Sequence, residues 1–213
     1  SVNEVWDVTE HLNPRICDIE DQSGDISWDA IADTTRRFVA FKYSSAFEVE
    51  SMGLVQNSDI HSLEDIDLVI LTSLALDSAA NRLANLHANE GMTVAVVNQR
   101  EIWNSFSSGS PDPTALKMLM MMLRDKAESP DEEPKHLLLM GDGSYFNRNL
   151  NPDGINLLTF QSSNSESTVS SYVTDDYFGL LEDGAGEAPG DKLTIGVGRI
   201  PAPNLESALA MVS

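Results

Sequence analysis

A thiol or hydroxyl nucleophile needs a base beside it, and the candidates in this chain are few. They are Cys17 and the histidines His11, His61, His87 and His136. Cys17 lies beside Asp18 and Glu20, and nearby carboxylates raise a thiol pKa and suppress the thiolate. His87 falls near the end of a predicted helix, where an imidazole partners the helix dipole. His136 opens a predicted strand, at the end opposite the one where open α/β sheets place their sites. No Cys–His or Ser–His pairing is therefore expected within the chain. Gly141-Asp142-Gly143-Ser144 directly follows an apolar run, at the carboxyl end of a strand where ligands usually bind. A glycine separates the acid from the serine and no Asp-x-x-His follows, which argues against an esterase turn. No lysine accompanies it, so it is not a phosphate loop. The remaining constellation is acidic: Thr174-Asp175-Asp176-Tyr177, then Glu182, Asp183 and Asp191 around a glycine-rich turn. Hard oxygen ligands on a flexible loop suit calcium, although the spacing is not that of an EF-hand. A solvated acidic loop is the alternative.

The elements that must position these groups follow a βαβαβ order from Asp65 onward. Ile66 to Leu71 is a mostly apolar run, as in a strand buried on both faces. Asp77 or Ser78 can cap a helix whose apolar positions Ala79, Leu83 and Leu86 share one face, and Gly91 can end it. Met92 to Val97 is the next strand. Asp112-Pro113 is a cap and first-turn pair, opening a helix through Leu116, Met120 and Leu123 to about Glu128. His136 to Met140 is a third buried strand. This order predicts a parallel sheet flanked by helices. Residues 141–171 are rich in Asn, Ser, Gly and Asp and read as a long surface loop. Tyr172-Val173 and Asp176 to Leu181 read as short strands, Leu193 to Val197 as a further strand, and Leu205 to Val212 as a helix capped by Asn204.

Residues 1–58 differ. Val5 to Val8 and Phe38 to Tyr43 are short aromatic and β-branched runs, while Asp18 to Arg37 is acidic and poorly periodic. This segment reads as the tail of a β-rich domain, since two or three strands alone are marginal. The last helix reaches Ser213 with its pattern unfinished. Both ends read as cut, so the chain is expected to be a fragment.

Composition narrows the function classes. In 213 residues there are 13 Lys plus Arg against 34 Asp plus Glu, for a net charge of −21. That balance argues against nucleic acid and anionic membrane surfaces as partners, both of which attract clustered basic residues. A single cysteine excludes an internal disulfide framework and a CxxC zinc site. No apolar run approaches the roughly 20 residues of a membrane span. The amino terminus shows no basic region followed by an apolar stretch, as would also hold for a mature or excised piece.

His136-Leu-Leu-Leu-Met-Gly-Asp142, then Tyr172-Val-Thr-Asp-Asp-Tyr-Phe-Gly-Leu-Leu-Glu-Asp183, then Ile195-Gly-Val-Gly-Arg-Ile-Pro201 together resemble the gingipain-type cysteine peptidases, over about residues 60–213. Val5 to Thr9 and Phe38 to Phe41 resemble the β-domain tail that precedes the peptidase domain in that group. The resemblance implies a caspase-like α/β fold in two subdomains. Residues 1–58 would be the preceding β-rich tail, 59–150 the first subdomain, and 151–213 a loop and the start of the second, catalytic one. The family's catalytic Cys and its His-Gly histidine map to no position here and are expected beyond Ser213. By the same resemblance Asp142, after the third strand, and Glu182 and Asp191, in a turn longer here than in gingipains, would be ligands of a structural calcium ion.

Within the family, the match implies a cysteine-type endopeptidase, a hydrolase that removes C-terminal sorting signals from proteins exported by type IX secretion. Its expected location is the bacterial cell surface or outer membrane. Its expected partners are substrates carrying those signals and other subunits of the secretion machinery. This chain alone is expected to be an inactive scaffold. An inactive caspase-like binding module and a calcium-binding adhesion-type domain are the alternatives.

Overall fold

The computed structural model describes every residue except 1, 32, 52, 148–150, 152, 165, 187 and 189. The chain forms two compact units, Ser1–Val55 and Gln56–Ser213.

The first unit is mainly β, with one 3-10 turn at Tyr43–Ser45 among the described residues. Strand β1 (Glu4–Asp7) pairs antiparallel with β2 (Arg15–Ile16), while β3 (Ile19–Gln22) and β4 (Asp25–Trp28) form a separate hairpin. The hairpin turns at Ser23 and Gly24, with φ of 62° and 102°, a pair of positive values suited to the right-handed twist of a tight hairpin. Strand β5 (Phe38–Phe41) closes the other side of β1. Edge-to-face rings join Trp6 to Phe41 and Trp28 to Phe38 at 6.2 and 5.4 Å. Val5 is this unit's fully buried apolar residue among those described, a small core for a segment of this length.

The second unit is α/β, as expected. Its strands and helices alternate as β6 (Leu68–Thr72), α1 (Asp77–Asn89), β7 (Val94–Asn98), α2 (Gln99–Phe106), α3 (Pro113–Lys126) and β8 (His136–Met140). Short strands β9 (Asp142–Gly143), β10 (Asn156–Leu157), β11 (Phe160–Gln161) and β12 (Val173–Thr174) come next. Strand β13 (Gly196–Ile200) and α4 (Leu205–Met211) complete it. The main sheet has the order β13-β8-β6-β7 with every pairing parallel. Leu68–Thr72 is buried throughout, which is why β6 reads as a continuous apolar run rather than an alternation.

Side chains of α2 and α3 pack with Val69, Leu71, Leu137 and Leu139 on one face. Those of α1 and α4 pack with Leu68, Ile70 and Met140 on the other. Helix α3 starts as expected: the Asp112 carboxylate accepts from Thr114 N at 2.8 Å and Pro113 fills the first turn. Helix α2 follows β7 directly through a capping box. Asn98 accepts from the Arg100 amide at 2.9 Å, and the Glu101 carboxylate accepts from the Asn98 amide at 3.2 Å.

The region after β8 departs from expectation. Residues 141–171 do not run wholly over the surface: β10 pairs with β9, and Leu157, Leu158 and Thr159 are buried. The Leu157-Leu158 pair supplies the apolar anchor. Gly141 allows the close approach, because a Cβ there would sit 2.6 Å from Ile155 O. Asp176–Gly179 is a 3-10 turn, not a strand. The Thr174 hydroxyl accepts from Asp176 N at 3.0 Å and starts the turn, which buries Phe178 fully. The fourth sheet strand lies three residues later than Leu193–Val197. Thr194 N donates to Gly179 O at 2.8 Å, so the ladder with β8 begins only at Gly196 and ends before Pro201, which has no N–H to donate.

Candidate functional site

The carboxyl ends of β8 and β13 frame an open polar cleft. Arg199, the fourth residue of β13, lies in register with Leu139. Its guanidinium forks Asp175, with Nε to Oδ2 and Nη2 to Oδ1 both at 2.7 Å, and its Nη1 donates to Gly141 O at 3.0 Å. The two side chains are only 13% and 25% exposed, a setting where a bidentate pair is strong and geometrically specific. One residue thus ties the end of β8, the segment after β12 and its own strand together. The cleft beside it has a volume of about 410 Å³ and is lined by Asp142, Ser144, Thr159, Thr174, Asp175 and Arg199 among others. Much of its wall is internally hydrogen-bonded. Thr159 Oγ1 donates to Ser144 O at 3.0 Å, and Asp142 Oδ1 accepts from Gly143 N at 2.9 Å. Such a wall supplies shape and fixed dipoles; it contains neither histidine nor cysteine.

The histidines and the cysteine have other surroundings. His61 packs against the Phe106 ring at 4.8 Å between centroids, and His87 Nδ1 lies 3.1 Å from Glu90 Oε2 at the end of α1. His136 opens β8 beside Gly196, where a Cβ would come within 2.9 Å of its Nδ1. Cys17 is half-buried in the β-rich unit, its backbone N donating to Val5 O at 2.8 Å. Among the described residues no hydrogen bond links a histidine to a cysteine or serine side chain.

The carboxylates expected to bind calcium are distributed as follows. Asp142 is at the cleft, on β9. Glu182 is exposed at the start of the acidic turn. Asp191 closes that turn, its Oδ2 accepting from Gly186 N at 2.7 Å and from Ala188 N at 3.0 Å. Glu187 and Pro189 of the turn lie outside the described residues. Among the described residues, no three His, Cys, Asp or Glu side chains converge in a way that could hold a metal ion. The turn instead receives two cations from α3. Lys117 Nζ donates to Ala185 O, and Arg124 Nη1 donates to Leu181 O.

Sequence reasoning missed Arg199 and Lys117, and read Asp175 as part of an acidic loop and not as the partner of Arg199. Each had a signal: an arginine inside an apolar strand run, an aspartate in the acidic stretch ahead of it, and a lysine among Leu116, Leu119 and Met120 on a helix.

Residues 61–213 match the profile of Peptidase family C25. No curated protein matches the chain. Among solved structures, the crystal structure of dimeric latent PorU from Porphyromonas gingivalis matches with a TM-score of 0.81 at 30% sequence identity. The match covers 98% of this chain and 21% of that one, so this chain spans about a fifth of the relative's length.

Proposed function

Because this chain belongs to peptidase family C25, the gingipain family of cysteine peptidases, we propose that it is the supporting part of a cysteine endopeptidase that removes C-terminal sorting signals from secreted proteins. The observation that carries this reading is the likeness to PorU over 98% of the chain. In the proposed reaction a thiolate attacks the scissile carbonyl and a neighbouring imidazole moves the proton. Both groups belong to a part of the protein outside residues 1–213, since among the described residues no histidine is hydrogen-bonded to Cys17.

The contribution of this chain is rigidity. A parallel sheet with helices packed on both faces and the Arg199–Asp175 fork fix one wall of a cleft at the carboxyl strand ends, and transition-state geometry tolerates little looseness in such supports. The proposed location is the cell surface or outer membrane, with other subunits of the type IX secretion machinery as partners. Among the described residues no helix is long and apolar enough to cross a membrane.

The test is to incubate the protein containing this chain with a substrate bearing a C-terminal sorting signal and weigh the products. Cleavage at the signal, lost on thiol alkylation, is expected. Absence of cleavage would favour an inactive caspase-like module, and cleavage that survives alkylation would exclude a cysteine peptidase.

A further inference from the structure

We propose that the acidic turn at residues 181–191 is closed by cations that the chain itself supplies, Lys117 and Arg124, and not by a bound divalent ion. The reasoning starts from what calcium would need there: main-chain carbonyls and carboxylates free to converge on one point. Two of the turn's carbonyls are already taken. Ala185 O accepts from the Lys117 ammonium and Leu181 O from the Arg124 guanidinium. Asp191, the carboxylate best placed to contribute, faces inward and accepts two main-chain N–H groups of the turn.

Lys117 and Arg124 are seven residues apart on α3, two helical turns, so both project from one face. They meet the turn at its start and its middle, as a pair of fixed positive charges. Lys117 is 5% exposed, far more buried than a lysine ordinarily is. Its Nζ lies 4.7 Å from the centroid of the Tyr177 ring, and the charge of Asp191 favours the ammonium against the burial that pushes its pKa down. Arg124 Nη2 is 3.9 Å from Asp183 Oδ1, and the charges of Glu182 and Asp183 help hold its pKa above the ordinary value, after the bond to Asp125. Asp183 and Asp191 thus have beside them cations that cannot diffuse away. A divalent ion entering here would meet an ammonium it could not displace without leaving Lys117 buried and unpartnered, which is costly. The consequence is a turn whose order does not depend on calcium supply.

Amide hydrogen exchange of the turn, measured on the intact protein in millimolar calcium chloride and in EDTA, tests this. Exchange at the amides of residues 182–186, 188, 190 and 191 is expected to be the same in both for the unsubstituted protein. Lys117→Met is expected to raise it by about tenfold or more, with the amides of β8 unchanged. Should that variant fail to fold, Lys117→Gln keeps a donor without the charge, and a smaller acceleration confined to the same amides is expected. Slower exchange of the unsubstituted turn in calcium would overturn the proposal, as would unchanged exchange in a folded Lys117 variant.

Discussion

The two ends of the parallel sheet use the same device for different purposes. At the amino end Asp67, just before β6, accepts from Lys135 Nζ at 2.5 Å, from Thr93 N at 2.8 Å and from Thr93 Oγ1 at 2.9 Å. One carboxylate therefore gathers the starts of β6, β7 and β8. At the carboxyl end the cation is the hub: Arg199 gathers Asp175 and Gly141 O. The openings beside them differ in kind. The amino-end groove, also about 410 Å³, is lined by Leu68, Met92, Leu138, Gly196 and Gly198 together with His87 and His136, whereas the carboxyl-end cleft is lined by hydroxyls, carboxylates and the guanidinium among others. A charged pair at a strand end is therefore no sign of a site by itself. What separates the ends is the polar opening beside the pair, and it lies where α/β sheets collect their ligands.

The comparison can be broken most severely at Gly141. Its φ is 156°, and a Cβ would meet Ile155 O at 2.6 Å and Leu157 Cγ at 2.8 Å. Gly141→Ala is expected to cost about 3 kcal/mol by overpacking and to separate β9 from β10, read as a lower urea midpoint and faster exchange at Leu157. Arg199→Met comes next. It leaves the Asp175 carboxylate without its partner, and with partial exposure allowed for the cost is about 2 kcal/mol. The same urea series measures it, with amides of β12 and β13 exchanging faster and those of β7 unaffected.

The smallest effect belongs to the amino end. The hydrogen bond from Lys135, followed by the amide of Thr93, holds the Asp67 carboxyl down at about 2. A depressed carboxylate stabilises the fold fully above its unfolded value, near 3.8, and that contribution disappears as the pH falls through about 2. Asp67→Asn should therefore cost roughly 1 kcal/mol at neutral pH, discounted for the exposed Lys135. The gap from the unsubstituted protein should close between about pH 4 and about pH 2. A gap that stays constant over that range would remove the ion pair from the explanation.

The strands β6, β7 and β8 were legible because each is a run of mostly apolar residues, although only β6 is buried throughout and β7, at the sheet edge, is buried at Ala95 and Val97. Helix α3 was legible from Asp112-Pro113, and α4 from Asn204, whose side chain accepts from Ser207 N at 2.8 Å. Helix α2 went unread even though Asn98 and Glu101 have capping-box spacing, because it starts with no loop after β7. The shift of β13 could not be read locally. Leu193-Thr194-Ile195 is as apolar and β-branched as β13 itself, and only the bond from Thr194 N to Gly179 O decides where the ladder begins. The polar wall was harder still. Asp175 and Arg199 are 24 residues apart and meet only through the fold. Asp142 was placed correctly at a strand end, while the calcium roles expected of Glu182 and Asp191 rested on residue type in an acidic turn and, as for Asp142, on family resemblance, not on a ligand spacing.

The most direct test of the claim that this chain positions but does not perform the chemistry is the rate of sorting-signal cleavage by the whole protein carrying Cys17→Ala. The expected rate is that of the unsubstituted protein, within about twofold, with alkylation still abolishing it. Loss of cleavage in a variant whose fold is intact would make Cys17 the nucleophile, and would contradict the assignment of this chain as support.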